Sequence, residues 1–252
     1  MFNAILRHVV PLPKPDAFSR YLFIGPHPDD IEVACAPTVK RLTDAGKDVR
    51  FLVMTDGGGG TCDPVRFKDT LVATRRREAT ASAALLGVSD VTFLDLPDGG
   101  PFSEWECAKR IAEAVVRLKP DAVFAPDPDV RSECHLDHLT VGRAAKSVLL
   151  QTPFLPIVKQ YGLADTHEIQ ALFLYYTDRP NALLPVSRTY GARMAALRLH
   201  ESQFTPDMLS QVELYYRLRS LRLACKSLRG KCDGYRALAP VHMHCFPEAS
   251  RW

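Results

Sequence analysis

The residues best equipped for chemistry fall in two clusters. The first is His27-Pro28-Asp29-Asp30-Ile31-Glu32, which follows the apolar run Tyr21-Leu22-Phe23-Ile24. The second runs from Asp127 to His138 behind the apolar run Ala122-Val123-Phe124-Ala125, and its His135-Leu136-Asp137-His138 sets two imidazoles three residues apart. Neutral imidazoles and carboxylates are ligands for zinc and similar divalent ions. Two adjacent carboxylates do not easily point at one ion, so one of Asp29 and Asp30 is free for acid/base work. The plain alternative is an acidic loop with a helix cap, because an Asp in this place can accept the first amides of a helix. His135 and His138 can likewise be surface or capping residues. Each cluster, taken alone, leaves both readings open.

The elements around the clusters bear on that choice. Gly25 and Pro26 stop the first strand. Ile31 to Ala45 can form a helix, which Pro37 should kink or delay and Gly46 should end. Val49 to Met54 is a second strand, followed by Thr55-Asp56 and four glycines, Gly57 to Gly60. Thr74 to Leu86 is a helix, Val91 to Leu94 a third strand, and Glu104 to Leu118 a helix. Ala122 to Ala125 is a fourth strand, followed by a helix from Thr140 to Leu150. Beyond 151 the pattern loosens. Ile169 to Tyr176 reads as a strand, Leu183 to Ser187 as extended, and Ala192 to Gln203 and Met208 to Leu228 as helices, with 231–252 irregular. Residues 1–20, with Pro11, Pro13 and Pro15, read as an arm. The expected fold is therefore α/β: a single domain over 1–252, its Rossmann-like core at 21–150 and its remaining strands and helices at 151–252.

Strands alternating with helices imply a mainly parallel sheet with right-handed crossovers and helices on both faces. In strand order 3-2-1-4-5, strands 1 and 4 are neighbours and a crevice opens at their carboxyl ends. The two clusters then meet, and an imidazole from the second can join His27 and Asp30 as a three-ligand site with a position open for water.

Composition removes other classes. A net charge of +3 and a pI near 8.5 are too mild to argue for nucleic acid. No apolar run is long enough for a membrane span. The start of the chain lacks a secretory signal pattern, and the seven scattered cysteines form no C-x-x-C, so free thiols in a reducing cytoplasm are expected.

Several stretches resemble, in order, the LmbE-like (PIG-L-like) metal-dependent N-acetylglucosaminyl deacetylase family over about 21–140. They are P-H-P-D-D-x-E after the first strand, T-D-G-G-G-G after the second, R-x-x-E at Arg75 and Glu78 followed by L-G, and H-x-x-H after the fourth. Tyr176 to Asn181 and His200-Glu201-Ser202-Gln203 resemble later family segments. The resemblance implies a hydrolase with one Zn²⁺ per chain, or another divalent ion such as Fe²⁺, that removes the acetyl group from an N-acetylglucosamine-type amide. It implies His27, Asp30 and His138 as metal ligands and Asp29 as general base on a metal-activated water. It implies His135 near the substrate carbonyl, stabilising the oxyanion or protonating the leaving amine, and Arg75 as a substrate contact. The implied partner is a small N-acetylated amino sugar conjugate, and family members often form trimers or hexamers. Asp98 in L-P-D-G reads as a turn residue, with substrate binding as its second role.

There are departures from the family pattern. H-L-D-H stands for the more usual H-P-D-H, and Gly58 for a frequent Glu. Val241-His242-Met243-His244-Cys245 replaces the usual carboxy-terminal pattern; in a strand His242 and His244 would share a face as a second metal site, against the plainer reading of packed or exposed histidines. The competing function is a Rossmann-like protein holding a nucleotide or sugar phosphate over Gly57–Gly60 without hydrolysis. Substrate specificity is expected in the loops around 56–73, 95–103 and 151–190.

Overall fold

Tyr21, Leu22, Phe23 and Ile24 are all buried, as a strand covered on both faces requires. The computed structural model describes residues 2–62 and 68–252. In chain order its elements are α1 (Phe2–Val9), β1 (Arg20–Gly25), α2 (Asp30–Asp44), β2 (Asp48–Thr55), α3 (Lys68–Leu85) and β3 (Asp90–Leu96). Next come α4 (Glu104–Leu118), β4 (Ala122–Pro126), α5 (Leu136–Gln151), the short α6 (Leu155–Val158), β5 (Ala171–Tyr175) and β6 (Ala182–Pro185). Then follow α7 (Ala192–Leu197), α8 (Pro206–Ser227), β7 (Cys232–Leu238) and α9 (Pro240–Met243).

The strands form one sheet in the order β3-β2-β1-β4-β5-β7-β6. β2 with β3 and β4 with β5 pair parallel, whereas β5 and β7 pair antiparallel, with Leu172 opposite Leu238 and Leu174 opposite Arg236. The expected order 3-2-1-4-5 is present and is extended by β7 and β6.

The chain folds as two compact units. One comprises Met1–Leu22, Ser103–Leu183 and Gly234–Trp252. Its aromatic core stacks Phe124 on Phe173 with ring centres 4.7 Å apart and sets Tyr235 edge-on to Phe124 at 5.0 Å. The other unit comprises Phe23–Phe102 and Leu184–Asp233. There α2 and α7 pack together, and the Arg193 guanidinium lies 3.8 Å from the centre of the Tyr216 ring.

The structure departs from the sequence reading in three places. Pro37 does not delay α2, which runs from Asp30 to Asp44 with the proline inside it. Proline has no N–H for the Val33 carbonyl one turn earlier. Arg193 Nε donates to that carbonyl at 2.9 Å, and its NH2 group reaches the next one, Ala34, at 3.3 Å. The same guanidinium pairs with Asp233 at 2.9 Å, and Asp233 also accepts from Thr38 Oγ1 at 2.9 Å. The second departure is β7, which occupies residues expected to be irregular; its Asp233 and Arg236 hide the strand pattern. The third is α1 in the expected arm, whose Arg7 lies over the Trp252 ring at 5.5 Å.

Candidate metal centre

Gly25 ends β1 where a side chain would be tight: an added Cβ would lie 3.0 Å from Ile31 Cγ1 and 3.2 Å from the His27 carbonyl oxygen. The Pro26 carbonyl then accepts from both the amide and the hydroxyl of Thr55, at 3.0 and 2.8 Å, and anchors the loop to the end of β2. The loop folds back on itself. Asp30 Oδ2 accepts the His27 amide at 2.9 Å and lies 3.1 Å from His27 Nδ1. The other ring nitrogen, Nε2, lies 3.1 Å from Asp98 Oδ1. His27 and Asp30 are both buried.

Asp29 holds the N-cap position of α2 but makes no side-chain cap bond. Its Oδ2 instead accepts from Arg75 NH2 at 3.0 Å. Arg75 is buried; its NH1 donates to the Gly57 carbonyl at 2.9 Å and lies 3.8 Å from Asp98 Oδ2. Burial pushes the Asp29 carboxyl above its ordinary range, against the pull of Arg75. Asp98 moves the other way. Burial opposes its ionisation, but His27, the Gly59 amide and Arg75 outweigh it and hold the carboxyl below the usual value. The glycine run has its own requirements. Gly57 has φ +69, and a Cβ on Gly60 would lie 2.5 Å from Arg75 NH1. The amides of Gly58 and Gly59 donate to Asp56 and Asp98 at 2.8 and 2.9 Å.

Behind this loop the segment His200-Glu201-Ser202-Gln203 leaves the helix at α7 and forms turns, which shortens the helix expected to reach Gln203. Ser202 donates its amide and hydroxyl to Glu78, at 2.8 and 2.6 Å. His200 is fully buried with Nε2 3.5 Å from Glu32 Oε1. Burial opposes its protonation, yet Glu32, Asp29 and Glu78 together raise it above the ordinary imidazole value.

In the other unit, the loop after β4 builds around Glu133. Glu133 Oε1 accepts the His135 amide at 2.8 Å, and Oε2 lies 3.2 Å from His138 Nδ1. His135 caps α5, its Nδ1 accepting the Asp137 amide at 3.3 Å. The rings of His135 and His138 stack at 5.0 Å, and the Tyr176 ring stacks on His138 at 5.8 Å, inclined by 2°. Tyr176 has φ +58, which is uncommon for a bulky residue.

Among the described residues two sets offer ligand atoms all within 4.8 Å of one another: His27, Asp30 and His138, and His27, Asp98, His135 and Asp137. All three ligands expected from the sequence therefore fall in one set. Asp29 stands beside Asp30 and faces Arg75, and Asp98 is a partner of His27 as well as a turn residue. Glu133, Glu78 and His200 carry contacts that the sequence reading gave no role; a carboxylate five residues before a ligand-type histidine was the available signal for Glu133. His242 and His244 are not strand neighbours. His242 lies in α9, with Nδ1 accepting the Ala239 amide at 2.9 Å and Nε2 3.3 Å from the Val10 carbonyl, so the second metal site is replaced by backbone capping.

The chain is similar to known proteins over most of its length. Diacetylchitobiose deacetylase of Thermococcus kodakarensis is 34% identical over 234 residues, 91% of this chain and 87% of that protein. The 1D-myo-inositol 2-acetamido-2-deoxy-alpha-D-glucopyranoside deacetylase of Mycobacterium sp. (strain KMS) is 26% identical over 74% of each chain. The solved structure of N,N'-diacetylchitobiose deacetylase from Pyrococcus horikoshii with its inhibitor MPG superposes with a TM-score of 0.90 at 31% identity, covering 100% of this chain and 96% of that one. The family model described as PIG-L, GlcNAc-PI de-N-acetylase, matches residues 22–149, and the chain belongs to that family.

Proposed function

We propose that this protein is a zinc-dependent N-deacetylase that hydrolyses the acetamide of an N-acetylglucosamine-type sugar conjugate. The observation that carries the reading is the joint presence of His27, Asp30 and His138 within ligand reach and of Asp29 outside that set. The donor set fits the ion. Two ligand atoms at about 2.0–2.1 Å from a tetrahedral zinc are about 3.3 Å apart, and His27 Nδ1 and Asp30 Oδ2 are separated by 3.1 Å. Both imidazoles have a carboxylate at their other nitrogen, Asp98 for His27 and Glu133 for His138, which orients a metal-binding ring. A divalent ion held by these residues supplies Lewis acidity, lowering the pKa of water and polarising the amide carbonyl.

The chain's own groups do the rest. Asp29, held by Arg75, takes a proton from the attacking water, and its burial favours a base of raised proton affinity. His135 accepts a backbone amide at Nδ1, so its hydrogen sits on Nε2. It can donate from there to the carbonyl oxygen as that atom gains charge, or to the departing amine. Arg75 and Asp98 are the proposed contacts for the sugar. Seven free thiols fit a reducing cytoplasm, and no helix among the described residues is long and apolar enough to cross a membrane. A homo-oligomer is the proposed assembly, consistent with the exposed Leu214, Leu218 and Leu221 on α8.

A phosphate-binding protein built on Gly57–Gly60 is disfavoured, because the Gly58 and Gly59 amides already serve carboxylates. The deciding experiment screens N-acetylglucosamine conjugates with the wild type and Asp29→Asn side by side, with metal analysis of both. The expected result is about one zinc per chain in each, and a turnover about 10²–10⁴-fold lower in the variant. Full activity after removal of the metal would overturn the reading.

A further inference from the structure

Apart from the metal centre, α5, β7 and α9 border a cavity of about 300 Å³. Its polar lining comes from Asp129, Lys146, Ser147, Arg236, His242 and Ser250. Arg236 is the unusual member. It sits on a strand paired with β5 and is 6% exposed, yet its Nε has no hydrogen-bond partner. Among the described residues no carboxylate pairs with its guanidinium. The acid in the cavity, Asp129, is already held by Lys146 at 2.8 Å. A buried guanidinium without a counter-charge is costly, and a structure that keeps one calls for a ligand to complete it.

The charges around the cavity identify that ligand. Lys146 and Asp129 cancel. His242 has Nδ1 accepting a backbone amide and Nε2 facing a backbone carbonyl, so it forms a neutral wall. One positive charge, that of Arg236, remains, and it matches a monoanion. Arginine presents a planar fork that suits a carboxylate. The rest of the lining is apolar, including Leu150 and Leu238. We propose that this cavity binds a small organic monocarboxylate, its carboxylate on Arg236 and its short apolar body against Leu150 and Leu238. The site is independent of the metal centre and of the reaction carried out there.

The test is calorimetric and thermal-shift titration of the metal-loaded protein with butyrate, acetate and inorganic phosphate. Butyrate is expected to bind saturably and raise Tm, acetate to bind more weakly, and phosphate to leave Tm unchanged. Arg236→Met keeps the side-chain bulk, and losing one charge-assisted pair should weaken butyrate binding about tenfold to a hundredfold. Ser250→Phe, at an exposed rim position, should fill the cavity, abolish binding and leave the fold intact. Because both variants retain the metal centre, carboxylate bound there would persist in them and be told apart. The proposal is overturned if no butyrate binds to the wild type, if phosphate binds more tightly than butyrate, or if Ser250→Phe binds butyrate as the wild type does.

Discussion

His27 meets a carboxylate at each ring nitrogen, Asp30 at Nδ1 and Asp98 at Nε2, both at 3.1 Å. In the proposed metal site Nδ1 faces the ligand set and Nε2 is held by Asp98. Asp98→Ala frees the ring to rotate, and the expected outcome is metal binding weakened about tenfold to a hundredfold. Competition against a chromophoric chelator measures this. A residue that only touches substrate would raise KM and leave metal affinity unchanged.

Gly57 makes a second demand on the same loop. Its φ is +69, and an added Cβ would lie 2.9 Å from Pro28 Cδ and 3.0 Å from Arg75 NH1. Gly57→Ala should cost about 1–2 kcal/mol of stability for the left-handed backbone and displace Arg75 from Asp29. Turnover should fall while metal content holds. Unchanged kcat in a folded, metal-replete variant would show that the Arg75–Asp29 contact is dispensable.

The Arg193 guanidinium is the partner of both Asp233 and the Val33 carbonyl. Arg193→Met removes the counter-charge of a buried carboxylate and the donor to a buried carbonyl, with an expected loss of about 3–5 kcal/mol in urea denaturation. Adding Asp233→Asn should recover part of that loss, since the stranded charge is then gone. A single variant as stable as the wild type would refute this account of how α2 tolerates Pro37.

Asp121 gives a pH-dependent test. It accepts from the Arg20 side chain at 2.7 Å and from the Arg20 and Ser19 amides at 2.9 and 3.3 Å. Burial opposes its ionisation, but these donors outweigh it and lower its pKa in the folded state. The stabilisation is therefore present above the ordinary carboxylate value of about 3.9 and is lost as pH falls through the folded value. Asp121→Asn should melt at a lower temperature than the wild type at pH 7, and the two should converge in acid. A gap in Tm that stays constant with pH would rule this out.

The strands nearest the site were legible because they are runs of apolar residues, and the two candidate clusters because ionisable residues gather at strand ends. Other features depend on partners far along the chain. Nothing near Pro37 announces Arg193, whose bond to Val33 spans 160 residues. Cys232 to Leu238 reads as irregular because Asp233 and Arg236 break its apolar pattern, and only the fold shows what they face. The His200–Glu32 pair is similarly distant in sequence. Of the loop expected to set specificity at 56–73, residues 63–67 lie outside those described.

The place of β7 in the sheet bears on how the protein is made. This strand, the last in chain order among the described residues, lies between β5 and β6, which are made before it. Until it arrives, β5 has an open edge with unpaired backbone groups, the kind of edge that recruits other chains. Pairing on that side of β5 must therefore wait for a strand made about sixty residues later, and a partly made chain carries the open edge over that interval.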